Sequence, residues 1–541
     1  MAVLQIRQVD GQGRPIRLHD EPVSIGRHPD NTIRIKDEKA SRFHCVIEPV
    51  ADGEHVIRDL GSRNGTRVNG QRIQEQPIGP GDEIKVGDHV FEVQNRDPVE
   101  PEQGGNGQPG SPDLPAWAAE IDKLIESLPP KGEREDHILL IAANGKASDV
   151  LTGDRANHKG PMALRLLLVL ASKARATDIH FEPKGELVNV RMRVDGQMVW
   201  IVEMPNRVGE LTAGMVKAAC QMQSAARDAI QEGHFATRFP DRRVDYRVSF
   251  TPSVHGQKLV VRVLDQRGAP RSLSELGLRP YMQDRVRRVC DQDHGLLLCV
   301  GPTGSGKTTT LYNALREIDR EARNVVTIED PVEYQIDNVT QIPIDEKKGN
   351  TFHSLLRSVL RQDPDVILLG EIRDEETART AMQAAMTGHV VFTTLHAKDT
   401  IAAVFRLLDL KVEPYLVANS LDLVLAQRLV RVLCNNCKDS ARVSPGQATR
   451  IGSYLGGRTR VYRSVGCLKC LRTGYRGRQA IFELLDFTDD LRDVVLKDPS
   501  IHAMKKIISS GHFTTLAQFG WRLVAEGTTT IDEVDRVAGQ G

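Results

Sequence analysis

Gly301-Pro302-Thr303-Gly304-Ser305-Gly306-Lys307-Thr308 decides the fold of this chain. It fits the pattern of a glycine, four residues, then Gly-Lys-Ser/Thr, the loop that wraps phosphates. Glycines let consecutive backbone N–H groups curl around an anion, where side chains would block the approach. Lys307 can reach the terminal phosphates, and the Thr308 hydroxyl can ligate Mg²⁺. The context agrees. Leu296 to Val300 reads as a buried strand, and Thr309 to Ile318 as a helix whose N-terminus adds partial positive charge beneath the phosphates.

Outward from the loop, Val325–Ile328, Val366–Leu369 and Val390–Thr394 are continuous apolar runs. Such runs mark strands buried on both faces of a parallel sheet. Each ends in a polar cluster: Glu329, Asp330 and Glu333; then Gly370, Glu371, Arg373 and Asp374; then His396. Ligands of open α/β sheets bind at the carboxyl ends of the strands. Nucleotide hydrolysis needs a carboxylate to orient water, Mg²⁺ to bridge phosphates and cations to stabilise developing charge. Glu333 and Glu371 are the candidates for the water and Mg²⁺ roles, with the division between them open. Residues 301–309, Glu329, Asp330 and His396 are the expected nucleotide-facing groups.

The chain has 541 residues, too many for one core, and equal basic and acidic totals of 72. Zero net charge and scarce aromatics argue against a nucleic-acid surface. The N-terminus lacks a signal-peptide layout. The longest apolar stretch, 162–171, is broken by Arg165 and too short to span a bilayer. A cytoplasmic protein, or one docked to a membrane through a partner, is the expectation. Residues 1–96 read as short strands punctuated by Asn64-Gly65, Asn69-Gly70 and Gly87-Asp88, an all-β sandwich. Residues 97–115 hold five prolines and four glycines, a linker spanning about 24 Å if fully flexible. With a short amphipathic segment from Trp117 to Leu128, the region 97–154 is expected to connect domains. A mixed α/β domain over 155–270 and the phosphate-loop domain over 271–541 complete the reading.

Residues 327–333 (Thr-Ile-Glu-Asp-Pro-Val-Glu), 361–374 (Arg-Gln-Asp-Pro-Asp-Val-Ile-Leu-Leu-Gly-Glu-Ile-Arg-Asp) and 388–396 (Gly-His-Val-Val-Phe-Thr-Thr-Leu-His) resemble the aspartate box, Walker B and histidine box of bacterial type II secretion and type IV pilus assembly ATPases. Thr177–Pro183 and Arg191–Gly196 are similar to motifs of the smaller domain that precedes the motor. The resemblance implies a homohexameric ring that binds ATP between two α/β domains. It also implies an inner-membrane platform partner and arginines near the phosphates, which by position match Arg247, Arg262, Arg357 and Arg361.

Cys434-x2-Cys437 and Cys467-x2-Cys470, with 29 residues between the pairs, offer four soft ligands that suit tetrahedral Zn²⁺. A zinc-binding insertion over about 430–478 is expected, and the resemblance agrees, since pilus retraction ATPases generally lack it. At the N-terminus, Ser24–Arg27, Ser41–His44 and Asp59–Thr66 resemble a forkhead-associated (FHA) domain. That implies phosphothreonine-peptide binding through Arg27, Ser41 and Asn64, with His44 as a brace and Arg63 where a small hydroxyl is common. Two other readings stay open at this stage: a nucleic-acid-translocating ring, and a phosphopeptide scaffold with a weak nucleotide-gated ATPase.

Overall fold

Alternating side chains pleat the N-terminal segments into strands whose inward residues are apolar; Glu83–Val86 is exposed and buried by turns. The computed structural model describes residues 3–8, 16–18, 22–28, 31–35, 37–50, 55–96, 114–129, 138–509, 511 and 513–539. It divides into two compact units, 1–112 and 113–541. The first is a sandwich of a six-stranded and a five-stranded sheet. Ile25, Ile47, Ile57, Ile84 and Val93 fill its core. The expected strands are present as Ile33–Arg34, Cys45–Pro49 and His89–Arg96. Thr66–Val68 and Gln71–Ile73 are joined through Asn69 and Gly70, both at positive φ, the pair a tight hairpin turn requires.

Residues 97–154 were expected to connect domains, and 97–113 lie outside the described residues. The helix Ala116–Ser127, however, buries Trp117, Ala118, Ile121 and Ile125 in the core of the domain that follows. The strand Leu139–Ile141 pairs with Gln231–Arg238. Both therefore belong to the mixed α/β domain. That domain is an eight-stranded antiparallel sheet whose central strands are Gln231–Arg238, Arg243–Ser253, Gly256–Leu264 and Ala176–Lys184. The helix Lys159–Ala174 packs on it, buried along most of its length.

The phosphate-loop domain is a seven-stranded sheet. Its order is Thr340–Pro343, Val325–Glu329, Val366–Leu369, Val390–Leu395, Gly295–Val300, Leu421–Leu433 and Tyr475–Asp486; only the last pairing is antiparallel. Every residue of Gly295–Val300, Val366–Leu369 and Val390–Leu395 is buried, as continuous apolar runs dictate. The strand Leu421–Leu433 runs on past its neighbour and delivers Cys434. Helices Leu516–Ala525 and Ile531–Ala538 close the domain. No helix among the described residues is long and apolar enough to cross a membrane.

Candidate functional site

The loop 301–306 leaves the strand Gly295–Val300 and enters the helix Lys307–Glu317. Two of its glycines are obligatory. At Gly301 a Cβ would stand 2.5 Å from the Gln427 carbonyl oxygen, and at Gly306, with φ of 88°, 2.8 Å from Gln427 Nε2. Lys307 Nζ folds back to donate to the Gly301 and Pro302 carbonyl oxygens at 3.0 and 3.2 Å. Burial pushes its pKa down, so an anion over the loop would restore its charge. Ser305 Oγ is buried without a hydrogen-bond partner. An unpartnered buried hydroxyl, a glycine cradle and a lysine that, among the described residues, donates to carbonyls fit a polyphosphate. Thr308 is exposed on the first turn, open to a metal ion.

The carboxylates assemble beside the loop. Glu371 is paired with Arg373 (Nη2 to Oε1, 2.5 Å) and with His396 (Nε2 to Oε2, 3.3 Å), and its charge acts on Lys307. Arg373 also reaches Asp330 at 3.3 Å, and its hydrogen bond to Glu371 raises its pKa further. Three strand ends are thereby joined in one network.

Glu329 sits elsewhere. It is 4% exposed, and its carboxylate accepts from Thr327 Oγ1 at 2.6 Å, Gln341 Nε2 at 3.1 Å and the Tyr312 hydroxyl. Strand alternation turns it into the core, where it ties the phosphate-loop helix to its neighbour. Glu333 is exposed on the next loop.

The four arginines divide. Arg247 Nη2 donates to the Val332 carbonyl at 3.1 Å, bringing the smaller domain onto the loop that carries Glu333. Arg262 bonds to Asp178 at 3.2 Å, and Arg361 Nη1 to the Arg357 carbonyl at 2.9 Å. Among the described residues no hydrogen bond or ion pair joins Arg262, Arg357 or Arg361 to the phosphate loop.

Two residues escaped the sequence reading. Gln427 is 2% exposed, packs against both obligatory glycines and accepts from Thr310 Oγ1 at 2.7 Å. Arg428 donates to the carbonyls of Gln427 at 3.0 Å and Lys398 at 2.7 Å. Burial lowers its pKa, and among the described residues it forms no ion pair with a carboxylate. The only signal was two polar residues inside an apolar strand. A cavity of about 550 Å³ lies between the two α/β domains, lined by Thr177, Arg267 and Gly268 on one side and by Gly306, Thr309 and Gln427 on the other. Its size suits a small organic ligand.

Cys434, Cys437, Cys467 and Cys470 converge, with all sulfurs within 4.8 Å of one another. Three Sγ···Sγ distances are 4.0, 3.8 and 3.8 Å; a tetrahedral site with Zn–S near 2.3 Å requires about 3.8 Å. Amide N–H groups of Gly466 and Gly474 point at Cys437 and Cys470 Sγ, both at 3.3 Å, as thiolates need. The four residues fit a zinc ion.

On the sandwich, Ser41 is a hub. Its carbonyl accepts from the Arg27 N–H at 2.9 Å. Its hydroxyl accepts from the Arg63 N–H at 3.0 Å, and its own N–H donates to His44 Nδ1 at 3.1 Å. His44 is fully buried, and burial lowers its pKa, which suits a neutral brace. Asn64 Nδ2 donates to the Lys39 carbonyl at 2.7 Å. Asp59, not foreseen, fixes the 60–66 loop by accepting from Ser62 and Thr66 side chains, both at 2.6 Å.

Residues 161–536 match the family described as type II/IV secretion system protein, and residues 23–87 match the FHA domain. The chain is 39% identical over 420 residues to type II secretion system protein E of Pectobacterium carotovorum subsp. carotovorum, covering 77% of this chain and 82% of that protein. It is 40% identical over 374 residues to type II secretion system ATPase E of Vibrio cholerae serotype O1, covering 69% and 74%. Among solved structures, the Legionella pneumophila ATPase DotB aligns at 20% identity over 70% of this chain and 95% of that one, with a TM-score of 0.53, a likeness of fold.

Proposed function

The chain belongs to the type II/IV secretion system protein family, and on that premise we propose that it is a homohexameric ATPase motor that drives subunit assembly and protein export in a type II secretion or type IV pilus-like machine. The observation that carries this reading is the network of Glu371, Arg373, Asp330 and His396 beside the Lys307 loop. ATP lies with its phosphates in the loop and its base toward the cavity between the two α/β domains. Thr308 and one of the carboxylates Glu333 and Glu371 hold Mg²⁺, which when bound neutralises phosphate charge. The other carboxylate orients the attacking water. Arg373 and His396 fix the Glu371 carboxylate, so little reorganisation is needed when charge develops. Arg247 responds to the position of the Glu333 loop and links hydrolysis to movement of the smaller domain. The exposed Arg262, Arg357 and Arg361 meet phosphates as the domains or neighbouring subunits close, Arg262 by exchanging Asp178 for phosphate.

The tetracysteine cluster would hold a structural zinc ion, which would tie residues 434–437 to residues 467–470. The sandwich recruits a phosphothreonine-bearing protein through Arg27, Ser41 and Asn64, and an inner-membrane platform protein receives the motor. The deciding experiment is ATP turnover with Mg²⁺, together with mass in solution, for wild type and Glu371→Gln. The reading expects a hexamer whose turnover falls at least about 100-fold in the variant. Turnover unchanged in Glu371→Gln would overturn the assignment of the site.

A further inference from the structure

A second cavity, of about 530 Å³, lies within the smaller α/β domain, and none of the residues that line it belongs to the phosphate-loop domain. It opens between the helix Asn206–Ala219 and the turn that joins the strands Arg243–Ser253 and Gly256–Leu264. At Gly209 a Cβ would stand 2.6 Å from Val188 Cγ2, so helix and sheet touch there; at Gly214, which lines the cavity, nothing stands within 4 Å. Phe181, Val188 and Leu259 give the cavity a buried apolar wall. Lys217 lines it too and is only 4% exposed. Its Nζ donates to Gln257 Oε1 at 2.6 Å and to the Ala226 carbonyl at 3.3 Å, and among the described residues it forms no ion pair with a carboxylate. The Ala226 carbonyl also accepts from Gln231 Nε2 at 2.9 Å and from Gln257 Nε2 at 3.3 Å. Three donors thus share one oxygen that has two lone pairs, and two of the three bonds are longer than usual. Acceptors are short at this spot. A buried cation without a counter-ion is costly, and one more acceptor with a negative charge would relieve both strains. Burial, helped by the charge of Arg227, pushes the Lys217 pKa down; an anion beside it would restore its charge. Among the lining residues Lys217 and Arg227 are matched by Glu210 and Asp228, with His255 the other titratable group. A single negative charge therefore suits the cavity better than a dianion.

We propose that this cavity binds a small monocarboxylic acid with an apolar body. The carboxylate accepts from Lys217 Nζ and Gln257 Nε2, and the body lies against Phe181, Val188 and Leu259. The volume is within the range that small organic ligands occupy, and a charge-assisted hydrogen bond in a buried setting fixes the orientation. A lysine that served only to brace the loop 223–231 would leave the cavity indifferent to the charge of its occupant, and that difference is measurable.

The test is a ligand-observed NMR titration of the full chain near neutral pH with three probes: 4-phenylbutyrate, its neutral counterpart 4-phenylbutanamide, and inorganic phosphate. The acid should bind with a Kd of about 1 mM or tighter, as its size allows. The amide should bind at least about tenfold more weakly, and inorganic phosphate should not displace the acid. Lys217→Met keeps the stem and removes the charge, so the preference for acid over amide should fall below about twofold. Gly214→Leu puts a side chain where the cavity is open; it should weaken the acid at least about tenfold and leave the Tm no lower, since leucine favours a helix over glycine. Saturating ATP with Mg²⁺ should leave the Kd for the acid within about twofold, because the nucleotide cavity is a different one. Equal affinity for acid and amide, a preference that survives Lys217→Met, or unchanged affinity in Gly214→Leu would overturn the proposal. Displacement of the acid by ATP or phosphate, or no binding at about 10 mM, would overturn it as well.

Discussion

Glu533 offers a measurable test of how the C-terminal helix is held to the motor. Its side chain is completely buried, yet it is charged. It accepts from the Arg431 N–H at 3.0 Å, Arg431 Nη2 at 2.7 Å, Arg536 Nε at 2.9 Å and Arg536 Nη2 at 2.7 Å. Burial alone would raise its pKa, but these hydrogen bonds outweigh it and hold the carboxyl below the ordinary value. Glu533→Gln keeps the shape, removes the charge and turns an amide NH₂ toward guanidinium donors. Arg431 is only 16% exposed, so it would keep Gln197 Oε1 and the Tyr475 ring face but lose its carboxylate. Breaking such a pair costs about 3–5 kcal/mol. With unfolding entropy near 2.1 cal/mol/K per residue over the unit 113–541, that corresponds to a fall in Tm of about 3–6 °C. Arg536 is 58% exposed, so Arg536→Ala should cost only about 1 kcal/mol. Because the folded pKa is depressed, the stabilisation is present above the unfolded pKa and is lost as pH falls through the folded one. The gap between wild type and Glu533→Gln should therefore hold steady near neutral pH and narrow only below about pH 4.3. Differential scanning calorimetry reads both. A Tm within about 1 °C of wild type for Glu533→Gln, or a larger loss for Arg536→Ala, would refute the reasoning.

Three more outcomes are expected. Arg428→Ala removes the cation that ties the Lys398 carbonyl to the strand beside the phosphate loop; steady-state kinetics should show kcat/KM for ATP lower by about 10- to 100-fold. Metal analysis should find about one zinc per chain, and Cys467→Ser or chelation should release it and lower the Tm by several degrees, roughly in line with a lost structural site. Asp195 Oδ2 accepts from the Gly477 N–H at 2.6 Å, across the two α/β domains; Asp195→Ala should speed hydrogen exchange at that amide by at least about tenfold.

Much of the fold was legible because burial on two faces writes itself into the sequence. Leu296–Val300 and Val366–Leu369 are apolar without interruption, and both are fully buried. The segment Leu139–Ile141 was not legible. Its three residues gain their place by pairing with residues 236–238, about a hundred positions away, and no local pattern reports such a partner. The helix Ala116–Ser127 was visible as an amphipathic segment, but its apolar stripe could not say which core it joins. In the site, local spacing announced the phosphate loop and the cysteine pairs. It could not sort adjacent acids: Glu329 and Asp330 look alike in sequence, and strand alternation alone sends the first inward to Tyr312 and leaves the second to Arg373. Arg428 was hidden for the opposite reason, as one of two arginines on a strand of thirteen residues that no motif marks.

The strand order explains why those residues belong together. Gly295–Val300 lies between Val390–Leu395 and Leu421–Leu433, with Cys299 in register with Thr394 on one side and Leu425 on the other. The chain then crosses to Val325–Glu329, beyond two other strands. The loop after Val300 therefore opens between two neighbours that contribute opposite charges. The side of Val390–Leu395 brings His396 and, through it, Glu371; the side of Leu421–Leu433 brings Arg428. Lys307 feels both, since Glu371 favours its charged form and Arg428 opposes it. Among the described residues the hydrogen bonds of the two cations go to backbone carbonyls. A polyphosphate is the kind of group that answers Lys307 and Arg428 together while leaving Glu371 to Arg373. The same geometry predicts that Arg428→Ala should weaken triphosphate binding more than diphosphate binding, because the longer anion carries the charge that reaches across the loop. Equal loss for ATP and ADP in calorimetric titrations would place Arg428 outside that reach and reduce it to a strand brace.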